Sequence, residues 1–96
     1  MSDLKRINGT DPEGSTWTRL NELAPGCSAI VKGIDCTDSG IRRRLQDIGL
    51  IEGTRVKYLL KSPLGDPTAY LIRGAVIALR KEDAGFIIID IGASQS

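Results

Sequence analysis

The stretch Arg-Leu-Gln-Asp-Ile-Gly-Leu-Ile-Glu-Gly-Thr-Arg-Val, residues 44–56, decides the fold, because a helical pattern changes to a strand pattern within it. Ile41, Leu45 and Ile48 stand at positions i, i+4 and i+7, so their side chains lie along one face of a helix. We therefore predict a helix over residues 41–48.

Both ends of this helix carry recognisable capping residues. Asp38 or Ser39 can accept hydrogen bonds from the free amides of the first turn. Gly49 is expected to end the helix in the left-handed conformation, in a Schellman motif that brings Leu45 against Leu50.

The second half of the stretch predicts a turn at Glu52-Gly53 followed by a strand over residues 54–61. Alternation assigns the side chains of this strand to two faces. Thr54, Val56, Tyr58 and Leu60 are expected on one face, and Arg55 and Lys57 on the other.

Four further apolar runs complete the predicted secondary structure. A short helical turn over residues 18–23 and a type II turn at Pro25-Gly26 precede the first of them. The predicted strands cover residues 27–34, 54–61, 68–73, 75–80 and 86–91. Five mostly antiparallel strands with one helix between the first two favour a small closed barrel, since closure removes exposed edges. The fold class that we predict is mainly β, an SH3-like five-stranded barrel.

Composition limits the chemistry of the chain. Its 96 residues suit one small domain, and its formal net charge of +1 gives no strong field to attract nucleic acid or anionic lipid. Histidine is absent, and Cys27 and Cys36 are too far apart in sequence for a Cys-x-x-Cys site. We therefore expect no catalytic residue, no metal site and no cofactor, free thiols and a reduced cytoplasmic location.

The domain boundaries follow from the same composition. Residues 1–16 have few apolar side chains and are expected to form a flexible tail. Residues 17–91 form the predicted domain, and residues 92–96 a C-terminal tail. No apolar run is long enough to cross a bilayer.

In its order of motifs, the region 17–91 resembles the ferrous iron transport protein A family, FeoA. The resemblance is carried by Leu20-x-x-Leu23-x-Pro25-Gly26, Arg44-Leu45-x-x-Ile48-Gly49-Leu50-x-x-Gly53-Thr54-x-Val56, Pro63-Leu64-Gly65-Asp66-Pro67 and Arg73-Gly74-x-x-Ile77-Ala78-Leu79-Arg80-Lys81-Glu82-x-Ala84. It implies a stand-alone SH3-like domain with an accessory role in bacterial ferrous iron uptake, through contact with the cytoplasmic part of the GTP-dependent transporter FeoB. The domain also resembles the C-terminal module of iron-dependent repressors, although no helix-turn-helix precedes it here.

Apolar residues on the predicted surface are the candidates for partner binding. Leu64 lies at the tip of a proline-restrained loop and can either anchor a partner or fold back onto the barrel. Alternation in the last three strands turns Leu71, Phe86 and Ile88 outward, where they form a docking or weak self-association surface unless Trp17 or the N-terminal turn covers them.

Other residues are assigned structural roles. These are the glycines of the predicted turns, the buried Leu45, and Arg44, whose methylenes can lie on the core: Gly26, Arg44, Leu45, Gly49, Gly53 and Gly74. The alternative function is a basic-faced barrel that binds nucleic acid through Arg42, Arg55, Lys57 and Lys61, with Tyr58 stacking on a base.

Overall fold

The computed structural model describes residues 17–92, and these form one antiparallel sheet with short helices. The predicted tail 1–16, and all of the predicted tail 92–96 except Gly92, lie outside the described residues. The strands are β1 (Trp17–Arg19), β2 (Ser28–Ile34), β3 (Arg55–Lys61), β4 (Thr68–Ile72), β5 (Ala75–Leu79) and β6 (Ile87–Asp90). The helices are α1 (Ser39–Asp47) and α2 (Lys81–Ala84), and a 3₁₀ turn covers Leu20–Glu22.

The strand order in the sheet is β1-β6-β2-β3-β4-β5. All five ladders are antiparallel, which confirms the mainly β prediction. The predicted closure by hydrogen-bonded strands is wrong, because β1 and β5 are the two ends of this order. Contact between the 3₁₀ turn and α2 brings these ends together instead, and the Tyr70 hydroxyl donates to the Leu20 carbonyl at 3.5 Å.

The predicted count of five strands is also wrong, because β1 is a sixth. Its three residues pair with β6, with Thr18 opposite Ile89 and buried. So short a strand has no periodicity of its own, and the predicted helical turn begins only after it, at Leu20. Helix α2 was not predicted either; it is a single turn that buries Ala84.

Helix α1 has the predicted capping at both ends. Asp38 Oδ1 accepts from the amides of Gly40 and Ile41 at 2.9 and 3.0 Å. At the other end, the Leu50 amide donates to the Leu45 carbonyl at 3.1 Å, which is the 6→1 bond of a Schellman motif. Leu45 and Leu50 are both fully buried, so this motif fixes the direction in which the chain enters the core.

The core is continuous and lies on the inner face of the coiled sheet. Its side chains come from β2 to β6, both helices, the 3₁₀ turn and the segments that follow the 3₁₀ turn and α1: Leu20, Leu23, Ala29, Val31, Leu45, Leu50, Val56, Tyr58, Tyr70, Ile72, Leu79, Ala84, Ile87 and Ile89. The rings of Tyr58 and Tyr70 meet edge to face, with centroids 5.7 Å apart.

A bulge in β3 overturns one predicted side-chain direction. Tyr58 pairs with Tyr70 and Leu60 pairs with Ala69, so Leu59 is an extra residue in the ladder. Val56 and Tyr58 are buried as predicted, but Leu60 is turned to the outer face, where 62% of it is exposed.

Candidate protein-docking surface

The outer face of β3, β4 and β5 carries a cluster of apolar side chains that we call the outer patch. One row across the strands contains Leu71 beside Val76, and the next contains Leu60, Ala69 and Ala78. Leu60 and Val76 are 62% and 67% exposed. Isolated apolar residues are common on protein surfaces, whereas contiguous ones of this kind mark interaction sites.

A basic groove of about 520 Å³ adjoins the outer patch. Leu71 belongs to both surfaces, and the charged residues that line the groove are Arg55, Lys57 and Arg73. Within residues 17–92, no acidic side chain lines this groove. The combined surface is therefore apolar on one side and cationic on the other.

Arg73 is held in place by two features of the backbone. Arg73 and Gly74 have φ values of 53° and 85°, the signs that a type I′ turn requires at both central positions of the β4–β5 hairpin. The stem of Arg73 passes over Gly49, and a Cβ placed on Gly49 would lie 2.6 Å from Arg73 Cδ. The absence of a side chain at Gly49 thus leaves room for the arginine.

The four predicted partner-binding residues do not form one surface. Leu71 lies in the outer patch, and Leu64 lies in the β3–β4 loop with 93% of its surface exposed, so it does not fold back onto the barrel. Ile88 in β6 is separated from Leu71 by β2 and β3, and it pairs with Arg19 and Gly33. Phe86 is half-buried and packs against the core.

The N-terminal strand lies away from the outer patch. Trp17 pairs with Asp90 at the β1 end of the sheet, and Lys32 Nζ lies 5.7 Å from the centroid of its ring. Arg19 is tied to the same end by an ion pair with Asp35 at 2.8 Å. Trp17 and the 3₁₀ turn therefore leave Leu71 and Val76 uncovered.

The residues assigned to structural roles occupy distinct positions. Positive φ values occur at all four glycines: Gly26 (81°), Gly49 (104°), Gly53 (94°) and Gly74 (85°). Leu45 is 1% exposed. Arg44 is largely exposed and forms an ion pair with Asp83 at 3.2 Å, which links α1 to α2.

The residues proposed for nucleic-acid binding are scattered. Arg55 and Lys57 share the basic groove, but Lys61 lines a different groove, and Arg42 donates to the Ile34 carbonyl at 2.9 Å. Tyr58 is 6% exposed, so it is not available to stack on a base as the alternative function requires.

Three further observations on the described region concern metal-ligating side chains, thiols and membrane-spanning helices. Among residues 17–92, no three or more His, Cys, Asp or Glu side chains are grouped as a metal ion would require. Cys27 and Cys36 are free thiols. In the same region, no helix has the length and apolar character needed to cross a bilayer.

The sequence interpretation missed three residues of this surface. Val76 was not among the predicted contact residues, although the alternation that turns Leu71 outward also turns Val76 outward. Leu60 was assigned inward, because nothing in the sequence marks the bulge. Arg73 was assigned to the end of the strand predicted over residues 68–73, and only the fold brings it beside Arg55 and Lys57.

The fold and the surface together define the class of the protein, a small SH3-like domain with an apolar and basic outer face. The chain belongs to the FeoA family, since the family model described as the FeoA domain matches residues 18–91.

Known relatives agree with this assignment. A Fe(2+) transport protein A/Fe(2+) transporter FeoB fusion protein of Porphyromonas gingivalis is 30% identical over 79 residues, which are 81% of this chain and 9% of that protein. The FeoA-like protein of Clostridium acetobutylicum has a TM-score of 0.70 at 36% identity, covering 76% of this chain and 84% of that one. The zinc complex of Stenotrophomonas maltophilia FeoA, described as a prokaryotic SH3 domain protein, has a TM-score of 0.70 at 30% identity, covering 80% and 93%.

The predicted likeness to metal-dependent repressors is a likeness of fold. A manganese-dependent transcriptional repressor has a TM-score of 0.71 but is only 18% identical, and the match covers 50% of its chain.

Proposed function

We propose that this domain is a cytoplasmic accessory protein of ferrous iron uptake that acts by binding the cytoplasmic region of a FeoB-type transporter. The observation that carries the proposal is the relative from Porphyromonas gingivalis, in which a matching domain and FeoB belong to one polypeptide. Fusion of two domains keeps them at high local concentration, which is useful when they work in contact. The contact itself has to be made through the surface of the domain.

The outer patch supports this proposal because it is a surface without an internal use. Leu71 and Val76 contribute nothing to the core, and their apolar area is released from water when a partner covers it. Leu64 extends from a loop whose two prolines restrict its backbone, so docking this side chain costs little entropy. Ile88 offers a second, separate contact beside Gly33, where no atom of the described residues lies within 4 Å of an added Cβ.

Regulation is the role that such a domain can perform without catalysis. It shifts the transporter between conformations to the extent that it binds them with different affinities. This mode requires no nucleophile, general base or cofactor in the domain itself, and we propose that it is not an enzyme.

Co-purification with detergent-solubilised FeoB of the same organism tests the proposal. The domain is expected to remain with FeoB, and to do so in amounts that differ between GDP and a non-hydrolysable GTP analogue. Ser replacements at Leu71 and Ile88 should each reduce recovery, whereas Phe86→Ser needs an unfolding control because that ring packs against the core. Failure of the native chain to bind in either nucleotide state would refute the proposal.

Iron itself is expected to pass by way of the transporter, not to reside on this domain. Asp35, Cys36 and Asp38 are the nearest approach to a ligand set, and Asp35 is engaged by Arg19 while Asp38 caps α1. Anaerobic calorimetry with Fe(II) should detect no stoichiometric micromolar site on the isolated chain. A site of that affinity would show that the domain also carries iron.

A further inference from the structure

We propose that the free edge of β5 receives an extended segment of the protein partner, which adds one strand to the sheet. This segment has apolar side chains at alternate positions and carboxylates at the end that meets Arg73. The inference rests on the proposed function in that it requires a protein partner, and it specifies how that partner is held.

The first argument is the position of β5 at the end of the sheet. It pairs with β4 on one side, and among residues 17–92 no strand pairs with its other side. The two-residue hairpin makes Ile72 and Ala75 a hydrogen-bonded pair, and such pairs alternate along an antiparallel ladder. The N–H and C=O groups of Val76 and Ala78 therefore point away from β4, towards the free edge.

The second argument is that β5 lacks the features that normally protect an edge strand. Its five residues, Ala75–Leu79, include no charged residue and no proline. Three of them, Ala75, Val76 and Ala78, are exposed. The opposite edge is different, since β1 has only three residues and one of them, Arg19, is charged and forms an ion pair with Asp35.

The third argument is continuity with the outer patch. Val76 and Ala78 belong to the patch and are also the residues whose backbone groups face outward. Alternate side chains of an added strand would stand next to them, on the face that Leu71 and Leu60 already make apolar. Backbone hydrogen bonds and side-chain burial then act on the same segment, as in other cases of strand addition.

The charged residues at the two ends of β5 indicate an acidic partner segment and argue against a second copy of this chain. In antiparallel self-pairing centred on Ile77, Arg73 of each copy would meet Lys81 of the other, and parallel pairing would align Arg73 with Arg73. Both arrangements place like charges together, which is unfavourable. A carboxylate at this end would instead meet Arg73, which also lines the basic groove. The other end of β5 already has a carboxylate beside it, because Asp66 Oδ1 accepts a hydrogen bond from the Lys81 amide at 2.8 Å.

Two variants test the inference with a matched control. Ala78→Pro removes an outward N–H without removing a bond to β4, and proline is tolerated at such edge positions. Ala78→Ser keeps the N–H and serves as its control. Arg73→Asn removes the charge while keeping a residue that adopts positive φ.

The probes are detergent-solubilised FeoB and a synthetic peptide of alternating valine and threonine with glutamates at one end; a peptide with lysines in place of the glutamates is the control. Binding of the glutamate peptide should slow amide exchange at Val76 and Ala78. Ala78→Pro should weaken its binding at least tenfold and Ala78→Ser less than twofold. Arg73→Asn should weaken it severalfold and reduce its dependence on salt.

The outcomes separate this inference from the proposed function. If FeoB binds the native chain and Ala78→Pro equally well, with no protection of the two amides, strand addition is refuted while the proposed function stands. If FeoB does not bind but the glutamate peptide protects Val76 and Ala78, the edge site stands and the identity of the partner is refuted. Equal binding of the two peptides, binding of nucleic acid at this edge, or a β5-paired dimer of the chain would each overturn the inference. If Ala78→Pro does not fold, Val76→Glu, which sets a carboxylate against the acidic segment, replaces it with the same expected loss.

Discussion

Gly49 occupies a position where two constraints exclude a side chain. Its φ of 104° lies in the region that favours glycine, and the stem of Arg73 fills the space where a Cβ would stand. The first constraint was predictable from the sequence, because the glycine follows a helical pattern. The second was not, since Arg73 belongs to a hairpin that only the fold brings to this place.

A pair of alanine variants separates these two constraints. Gly53 has a φ of 94° but no atom from residues 17–92 within 4 Å of an added Cβ, so Gly53→Ala measures the conformational cost alone. We expect Gly53→Ala to lower the free energy of unfolding by about 1–2 kcal/mol, and Gly49→Ala by about 1 kcal/mol more. Urea unfolding of both variants measures the difference, and equal losses would show that the Arg73 contact has no energetic weight.

Tyr70 makes the free energy of unfolding of the domain fall with rising pH in the alkaline range. Burial, and secondly the neighbouring Tyr58, raises the pKa of Tyr70 from 10.0 to about 12. Between these values the unfolded chain loses the Tyr70 proton and the folded chain retains it, so stability falls as pH rises through this window and is fully present below it.

The free energy of unfolding should therefore decrease between about pH 10 and about pH 12, and the decrease should be smaller in Tyr70→Phe. The difference between the two proteins isolates the contribution of Tyr70 from that of every other group. An identical pH profile in both proteins would mean that Tyr70 ionises freely in the folded state.

At the scale of elements, the sequence predicted those parts whose signals are local. Helix α1 has a periodic apolar stripe, a capping aspartate and a terminal glycine, and all three act as expected. Strand β1 has three residues and forms because β6 offers it an edge, a long-range cause that no short window contains. The bulge at Leu59 likewise depends on how β3 and β4 meet, which is why Leu60 was assigned to the wrong face.

Leu45 tests the placement of α1. It is 1% exposed within the core, so Leu45→Ala removes packed methyl groups and leaves a cavity. We expect a loss of about 2–5 kcal/mol in the free energy of unfolding. Gln46→Ala, one residue away on the exposed face, should change it by less than about 0.5 kcal/mol, and similar values for the two variants would mean that the helix is rotated.

At the scale of the whole molecule, a chain with a formal net charge of +1 carries the outer patch and the basic groove side by side. Alternation in β4 was enough to predict that Leu71 faces outward. The combined surface also needs Leu60 from β3, Arg73 from the β4–β5 turn and Val76 from β5. Their convergence depends on strand order and on one bulge, so the sequence predicted a docking surface without predicting its extent. The predicted members Phe86 and Ile88 lie at the far side of the same sheet.

The most direct test of the account is the dissociation constant between this domain and the cytoplasmic region of FeoB. The native chain should be compared with Leu71→Lys/Val76→Lys in the outer patch and with Ile51→Lys, which changes an exposed apolar residue elsewhere. We predict measurable binding by the native chain and by Ile51→Lys, and binding about tenfold or more weaker for the double variant, a loss of about 1.4 kcal/mol. Absence of binding by the native chain, or equal affinities for all three proteins, would contradict the account.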